Sequence, residues 1–430
     1  MDDVYYKLAS KGAKTWNCWA RTNISEEEIN ELPISNERRL EFKNINPLTD
    51  VEQKKLANEL GVLNLSSLND KIVFQSDIDY ESFGGYFFLS DTSFENCTFR
   101  EGASFNNAIF FKEAIFSNTT FLKSANFRNV VFNQSAIFAH SKFHKTASFS
   151  EVRVKGGANF QFSKFYGWTH FSNSSLQLAL FIEVEFKGMS FFDNTKFISN
   201  SIFQGAIFFK EVFFKNSTFY KSVDFANTEF KSMTSFSDVS FNEPPIFHEA
   251  KFHQDTSFYN AKYKSVSGGD TEVMAWRTLK IIMNKLHNHD LELLYFSLEM
   301  DAKIATSMLD KNKLKALWKA APLYTYKTVS NYGNSIALPV IWIFILIVFF
   351  AMAYDQVSWI SSHEDSFYSF KLSLSNFLPF VPTSKAIIES ILEGQNVSIY
   401  LQVLMVLQNI LSAGMLFLLG LGLRNLFSIK

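Results

Sequence analysis

Phenylalanine recurs through the middle of this chain at alternating steps of five and six residues. One series runs Phe94, Phe105, Phe116, Phe127, Phe138, Phe149, Phe160, Phe171, and a second runs Phe88, Phe99, Phe110, Phe121, Phe132, Phe143, Val154, Phe165, Leu176. One residue is missing after Leu176, and both series resume in a new phase, Phe181 to Phe258 and Phe186 to Tyr263. Two residues ahead of the phased positions stands a small side chain, as at Ala103, Ala125, Ala147, Thr195 and Ser217. A spacing of two places both side chains on one face of an extended segment. Each unit therefore offers large-plus-small pairs to an interior, with Asn, Ser, Lys and Glu between them for water. That is what a mainly β fold, a parallel β-solenoid, requires of its walls, and the pattern predicts one over residues 81–265. An eleven-residue period also occurs in right-handed coiled coils. This unit is poor in helix formers, however, and its five-plus-six division does not follow 3.6. A propeller blade needs a longer period.

These repeats resemble the pentapeptide-repeat family in its Phe-centred form, Ala-x-Phe-x-x with an extra residue at alternate corners. The resemblance implies a right-handed quadrilateral parallel β-helix of about eight coils, each rising ~4.8 Å. A stacked solenoid has to hide its end coils. Residues 1–80 read as a mostly helical cap anchored by Leu8, Trp16 and Trp19, with Ser25 and Glu28 as a capping box. Trp16-Asn17-Cys18-Trp19 is similar to the family's N-terminal Trp-Asn-x-Trp-Arg segment, with the arginine one place late at Arg21.

Residues 266–330 turn to helical spacing, Val273, Trp276, Leu279, Ile282 and Met283, then Leu291, Leu294, Leu298 and Ala302. The break at His287 to Asp290 makes this an αα-hairpin linker. His287 and His289 beside Asp290 have no third convergent ligand, and His248 and His253 fill polar slots of the repeat, so no metal and no cofactor is expected.

Residues 331–430 read as a transmembrane domain. Residues 336–354 and 397–423 carry no charge and are long enough for two transmembrane helices, and Pro339 near the first start is tolerable. Lys315, Lys319 and Lys327 precede the first span and Arg424 and Lys430 follow the second. The loop between holds Lys371 and Lys385 against five carboxylates, Asp355, Glu364, Asp365, Glu389 and Glu393. The positive-inside rule then puts both termini and the solenoid on the cytoplasmic side of the cell membrane. A start without a basic, apolar leader and only two cysteines, Cys18 and Cys97, agree with that expectation.

Between the spans, residues 366–382 form a short amphipathic segment ending at proline. Span, half-length segment, span resembles the layout of two-helix pore-loop cation channels. Ser373, Ser375, Asn376, Pro379 and Pro382 are then the candidate pore-loop residues. Leu378-Pro379-Phe380-Val381-Pro382 stands where a Thr-Val-Gly-Tyr-Gly filter would be, so potassium selectivity is not expected. A re-entrant loop and an interfacial helix on the outer leaflet both remain open. On the second span Gln402, Asn409, Ser412, Ala413 and Gly420 share a stripe, with Gln408 to one side. Amides in lipid are costly, so the stripe faces protein or water, as helix packing or as a pore lining. Tyr332-Gly333-Asn334-Ser335 and Arg424-Asn425-Leu426-Phe427 are similar to the Tyr-Gly-x-Ser and Arg-Asn-x-Phe segments of membrane-anchored pentapeptide-repeat proteins.

No phosphate loop, paired-cysteine motif, HExxH or Gly-x-Ser-x-Gly elbow occurs, and no enzyme is expected. Charge is balanced, 41 basic against 42 acidic residues, and residues 83–263 hold 17 against 15. That excludes the acidic DNA mimicry of some soluble family members and gives no reason for a nucleic-acid partner. The expectation is an oligomeric pore or channel-like assembly in the lipid bilayer, with the solenoid as a cytoplasmic sensor for a protein or ligand trigger. Two helices cannot enclose a pore alone, hence a homo-oligomer. The alternative is a membrane-tethered scaffold whose solenoid binds a protein and whose helices only anchor.

Overall fold

The computed structural model describes residues 4–31, 36–63, 65–68, 71–74, 77–79, 82–264, 268–357, 360, 367–378, 381–393 and 397–428. The chain divides into two compact units, residues 1–265 and 266–430.

The first unit is a parallel β-solenoid of about nine turns behind five helices. Its strands are mostly two residues long, and each pairs in parallel with its counterparts in the coils before and after. Three of the four walls can be followed by register: Ala103–Ala125–Ala147–Thr169, Phe99–Phe121–Phe143–Phe165 and Phe88–Phe110–Phe132–Val154. The fourth carries Ala114, Ala136, Ala158 and Ala179. Phenyl rings stack from coil to coil at the strand spacing. Phe94, Phe116, Phe138 and Phe160 follow one another at 4.9, 4.7 and 4.9 Å, and Phe105, Phe127 and Phe149 at 4.9 and 4.8 Å. Neighbouring columns meet edge to face, Phe127 on Phe138 at 5.2 Å and 85°. Each fully buried ring contributes ~1.5–3 kcal/mol by burial, with more from the paired geometry.

Four-residue turns join the walls, and one residue of every other turn is left-handed: Asn96, Asn107, Asn118 and Asn129 have φ of 56–60°. Asparagine tolerates that region better than other side chains. The small residue closing such a turn does more than leave room. The Thr119, Ser141, Ser163 and Ser174 hydroxyls donate to the carbonyls of Phe94, Phe116, Phe138 and Phe149 in the preceding coil, at 2.5–2.7 Å.

Strand pairing begins at Lys71–Val73, ahead of the expected boundary at 81. Ile72 and Ile78 hold wall positions where later coils have Thr or Phe, which hides the rhythm, yet Phe74 already stacks on Phe94 at 4.3 Å. The missing residue after Leu176 leaves the stack unbroken. Lys142 pairs with Lys164, twenty-two positions on, and Lys164 with Glu185, twenty-one on. The slack is taken at a corner, where the register between Arg153–Asn159 and Ser175–Leu180 shifts between Val154 and Gly157. A Cβ on Gly156 there would lie 2.6 Å from the Gln134 carbonyl carbon and the Ser135 nitrogen, so the corner admits only glycine.

The helical cap, α1 (Val4–Ser10), α2 (Ala13–Thr22), α3 (Glu26–Glu31), α4 (Asn36–Lys43) and α5 (Asp50–Leu60), covers the first coil. Its Trp-Asn pair has a physical job. Asn17 lies against the edge strand with both amide groups, Nδ2 donating to the Gly85 carbonyl at 2.9 Å and Oδ1 accepting from Phe87 N at 3.0 Å. Trp16 packs on Phe88 and Tyr86, and its Nε1 donates to the Phe87 carbonyl at 2.9 Å. These contacts satisfy backbone groups that would otherwise recruit a foreign strand. The expected capping box at α3 is present, Ser25 N donating to Glu28 and Glu28 N to Ser25 Oγ.

The second unit is helical. α6 (Asp270–Lys285) and α7 (His289–Met308) form the hairpin, turned at Asn288, whose side chain caps α7 through Leu291 N. Glu299 of α7 is buried and accepts from Arg277, Lys280 and Lys303 at 3.0, 2.6 and 2.9 Å. Burial pushes its carboxyl up, but the three cations outweigh that and hold it below the ordinary carboxylate range. A further helix, α8 (Lys313–Ser330), leads to the apolar segments. Among the described residues two helices are long and apolar enough to cross a membrane, the first span Ala337–Tyr354 and the second span Ile399–Phe427. Among the described residues, the short helices Tyr368–Phe377 and Pro382–Leu392 lie between them in sequence.

Candidate functional site

The polar residues of the second unit converge where the short helix Tyr368–Phe377 meets both spans. Serine recurs along it at 369 and 373, with Asn376 three residues on, so the three side chains lie along one face. Ser369 Oγ donates to Asp355 Oδ1 at the end of the first span, 2.8 Å away. One turn further, Ser373 Oγ donates to the Ile347 carbonyl inside that span at 2.8 Å. Asn376 Nδ2 then reaches the Met405 carbonyl and Gln408 Oε1 of the second span, at 3.1 and 3.0 Å, and Tyr354 Oη at 3.1 Å.

Gln408 is the centre of this network. Its Nε2 donates to the Ser373 carbonyl and Oγ, both at 2.9 Å, while its Oε1 accepts from Tyr354 Oη at 2.5 Å. Tyr354, Ser373, Asn376 and Gln408 are all buried. Leu372, Phe350, Ile391 and Leu401 pack around them. The second short helix closes the group, with the Ile391 carbonyl accepting from Tyr368 Oη at 3.1 Å. A buried network whose members are all partnered fixes one arrangement of three helices, since any slip strands several polar groups at once.

The sequence-derived candidates separate into three groups. Ser373, Asn376 and Gln408 share the network, and Ser375 is buried beside them. Pro382 opens the second short helix at its first turn, where a missing N–H costs nothing. Pro379 lies outside the described residues. Of the second-span stripe, Gln402 and Gly420 are exposed, and Gln402 Nε2 donates locally to the Val397 carbonyl at 3.2 Å. Asn409 Oδ1 and Ser412 Oγ are buried without a hydrogen-bond partner among the described residues. Gln408, set to one side of the stripe on the helical wheel, is the member most fully engaged. Tyr354 and Ser369 escaped the sequence reading because a tyrosine at a span end and a serine in an amphipathic segment each read as ordinary.

At the other ends of the spans the two terminal motifs meet. Asn425 Nδ2 donates to the Gly333 carbonyl at 3.0 Å. Asn331, Tyr332 and Gly333 are left-handed in succession, with φ of 47°, 57° and 80°. The buried Tyr332 is held there by its Oη donating to Asp301 Oδ1 of α7 at 2.6 Å, an oxygen that also pairs with Lys327 at 2.8 Å. A Cβ on Gly333 would sit 2.9 Å from Leu421 Cδ2, so the loop touches the second span at glycine. The junction thus ties α7, α8 and the second span to one strained turn.

A family model of pentapeptide repeats matches residues 88–131, 127–175 and 214–262. Neither the curated proteins nor the solved structures hold a significant match to the chain. The matched residues all lie in the solenoid, whose coils are therefore pentapeptide repeats, while the second unit rests on its own geometry.

Proposed function

We propose that the protein is a non-enzymatic membrane protein whose C-terminal unit assembles between copies into a channel-like pore and whose solenoid is a cytoplasmic interaction domain. The observation that carries this reading is the position of the helix Tyr368–Phe377 against both spans. Ile347 lies seven residues from Tyr354, and Met405 six from Ile399. At 1.5 Å per residue, its bonds to Ser373 and Asn376 reach ~9–10 Å into a leaflet whose apolar half is ~15 Å deep. An interfacial helix would not descend so far, so a re-entrant segment is favoured. Non-helical backbone at that depth is tolerated only where protein or water covers it. Leu378 and Val381, which lie outside the short helices, need such cover, and neighbouring copies around a water-filled axis supply it. The membrane setting is supported by rings on the spans that are more than half exposed, Phe344, Phe349 and Phe417 among them.

A pentapeptide-repeat solenoid is a scaffold for binding rather than for chemistry, and it supplies the trigger site in this reading. One observation favours the anchored scaffold instead. Gln408 and Asn376 are satisfied within a single chain and require no water path. The exposed Gln402 favours the pore, because an amide on a span has no partner in lipid, whereas the unpartnered Asn409 Oδ1 and Ser412 Oγ are buried and leave room only for a water between helices.

Ion flux through the purified protein in liposomes, read beside its oligomeric state in detergent, separates the two. The pore reading expects flux that Asn409→Leu abolishes by dewetting while the oligomer persists. No flux from the wild-type protein, with or without a cytoplasmic extract, leaves the anchored scaffold.

A further inference from the structure

We infer that one outer corner of the solenoid is a docking ridge for a protein segment mixing carboxylate and apolar side chains. The inference rests on reading the solenoid as an interaction domain and not on conduction. Elsewhere the outward positions are mostly Asn, Ser, Thr and single charges, with exposed apolar side chains scattered singly, as at Phe162, Tyr220 and Tyr259. At the middle of the stack they become aromatic. Trp168 is 54% exposed and Tyr166 39%. His170, Phe191 and Phe213 stand outward on the adjoining wall, stacked at 4.7 and 5.4 Å, with Trp168 tilted against Phe191 at 6.3 Å.

Lysines interleave with these rings. Lys187 Nζ lies 4.9 Å from the Tyr166 centroid and 5.8 Å from that of Phe209, and Lys231 lies 4.5 Å from Phe209 on its other side. Over the corner stretches 119–125, 141–147, 163–169, 184–190, 206–212, 228–234 and 250–256 there are eight lysines against four carboxylates. Two of those carboxylates are already bracketed, Glu185 by Lys164 and Lys187 and Glu229 by Lys231 and Lys251. The corner is thus apolar and net positive at once.

Ring orientation selects the partner. His170, Phe191 and Phe213 stack on one another and lysines cover Tyr166 and Phe209, so these ring faces are used and their electropositive edges point outward, while Trp168 meets its neighbours edge-on. Nucleobases need free ring faces to stack on, which disfavours single-stranded nucleic acid despite the lysines. Ring edges and ammonium groups both seek carboxylate and carbonyl oxygens, while the exposed Trp168 offers an apolar anchor of the kind that dominates binding energy.

The test uses the full-length protein in detergent and three labelled probes read by fluorescence anisotropy: a peptide alternating Glu and Leu, its Lys–Leu counterpart, and a single-stranded oligothymidylate. The Glu–Leu peptide is expected to bind, more weakly as salt is raised. Trp168→Ser, and separately Lys187→Glu with Lys210→Glu, should weaken it tenfold or more. Lys196→Glu on another wall should leave it unchanged. The paired lysine variant carries the test should Trp168→Ser lower the melting temperature. Equal or tighter binding of the Lys–Leu peptide or the oligonucleotide at the same ridge would overturn the partner chemistry but leave a binding solenoid. Absence of Glu–Leu binding, or binding indifferent to the ridge variants, would overturn the ridge itself.

Discussion

The solenoid and the helical unit reach a defined structure by opposite means. In the solenoid one solution is repeated: a Phe column, a small neighbour, a left-handed turn and a hydroxyl donating to the coil before. Register is specified many times over, and the stack absorbs a deleted residue at the Gly156 corner without losing its columns. In the second unit each polar contact occurs once. Gln408 bonds Ser373, Asn376 and Tyr354 at once, and no neighbouring repeat can restore it. Redundancy makes the first unit tolerant and legible, while the second depends on a few side chains in a setting where unmet polar groups are costly.

Substitutions can break this contrast. Phe138→Ala empties a site flanked by Phe116 and Phe160 and should cost ~3–5 kcal/mol in thermal or denaturant unfolding. Phe138→Leu should cost less than ~1.5 kcal/mol, because Val154 and Leu176 already interrupt another column with aliphatics. Gln408→Leu takes the acceptor from the buried Tyr354 hydroxyl and one partner each from Asn376 and Ser373, and should destabilise the second unit by ~1–3 kcal/mol. Hydrogen exchange in detergent should show the loss confined to residues 337–428. Ser141→Ala removes one donor to Phe116 and should cost ~1 kcal/mol, with Ser163→Ala the same. Lys142→Ala, on an exposed outward position, should stay under ~0.5 kcal/mol. A Gln408→Leu loss smaller than that of Ser141→Ala would erase the distinction between the two units.

The same contrast governs what the sequence shows. Phe94 to Tyr263 announce their wall positions because each is restated every eleven residues. Asn96, Asn107, Asn118 and Asn129 carried the turn signal at the same period, though it takes the backbone angles to give them meaning. The first coil was read short because Ile72 and Ile78 replace the expected side chains. Length and apolarity sufficed to locate the two long apolar helices. The location of the short helix could not be read that way, since an amphipathic segment has the same periodicity on a leaflet or between two helices. Nor could Gln408: a helical wheel sorts residues by angle on one helix, and its partners come from two others.

The central claim is that positions 402 and 409 of the second span border water in the assembled protein while Gln408, like Ser412, is buried against its own helices. Cysteine accessibility tests it most directly, in a background with Cys18→Ala and with the buried Cys97 retained. Gln402→Cys, Asn409→Cys and Ile410→Cys would be challenged in sealed proteoliposomes with a charged, membrane-impermeant thiol reagent. The account predicts modification at 402 and 409 and none at 410, which is 65% exposed but lies off the polar stripe. Silence at both 402 and 409, with oligomers intact, would contradict it and leave the helices as an anchor.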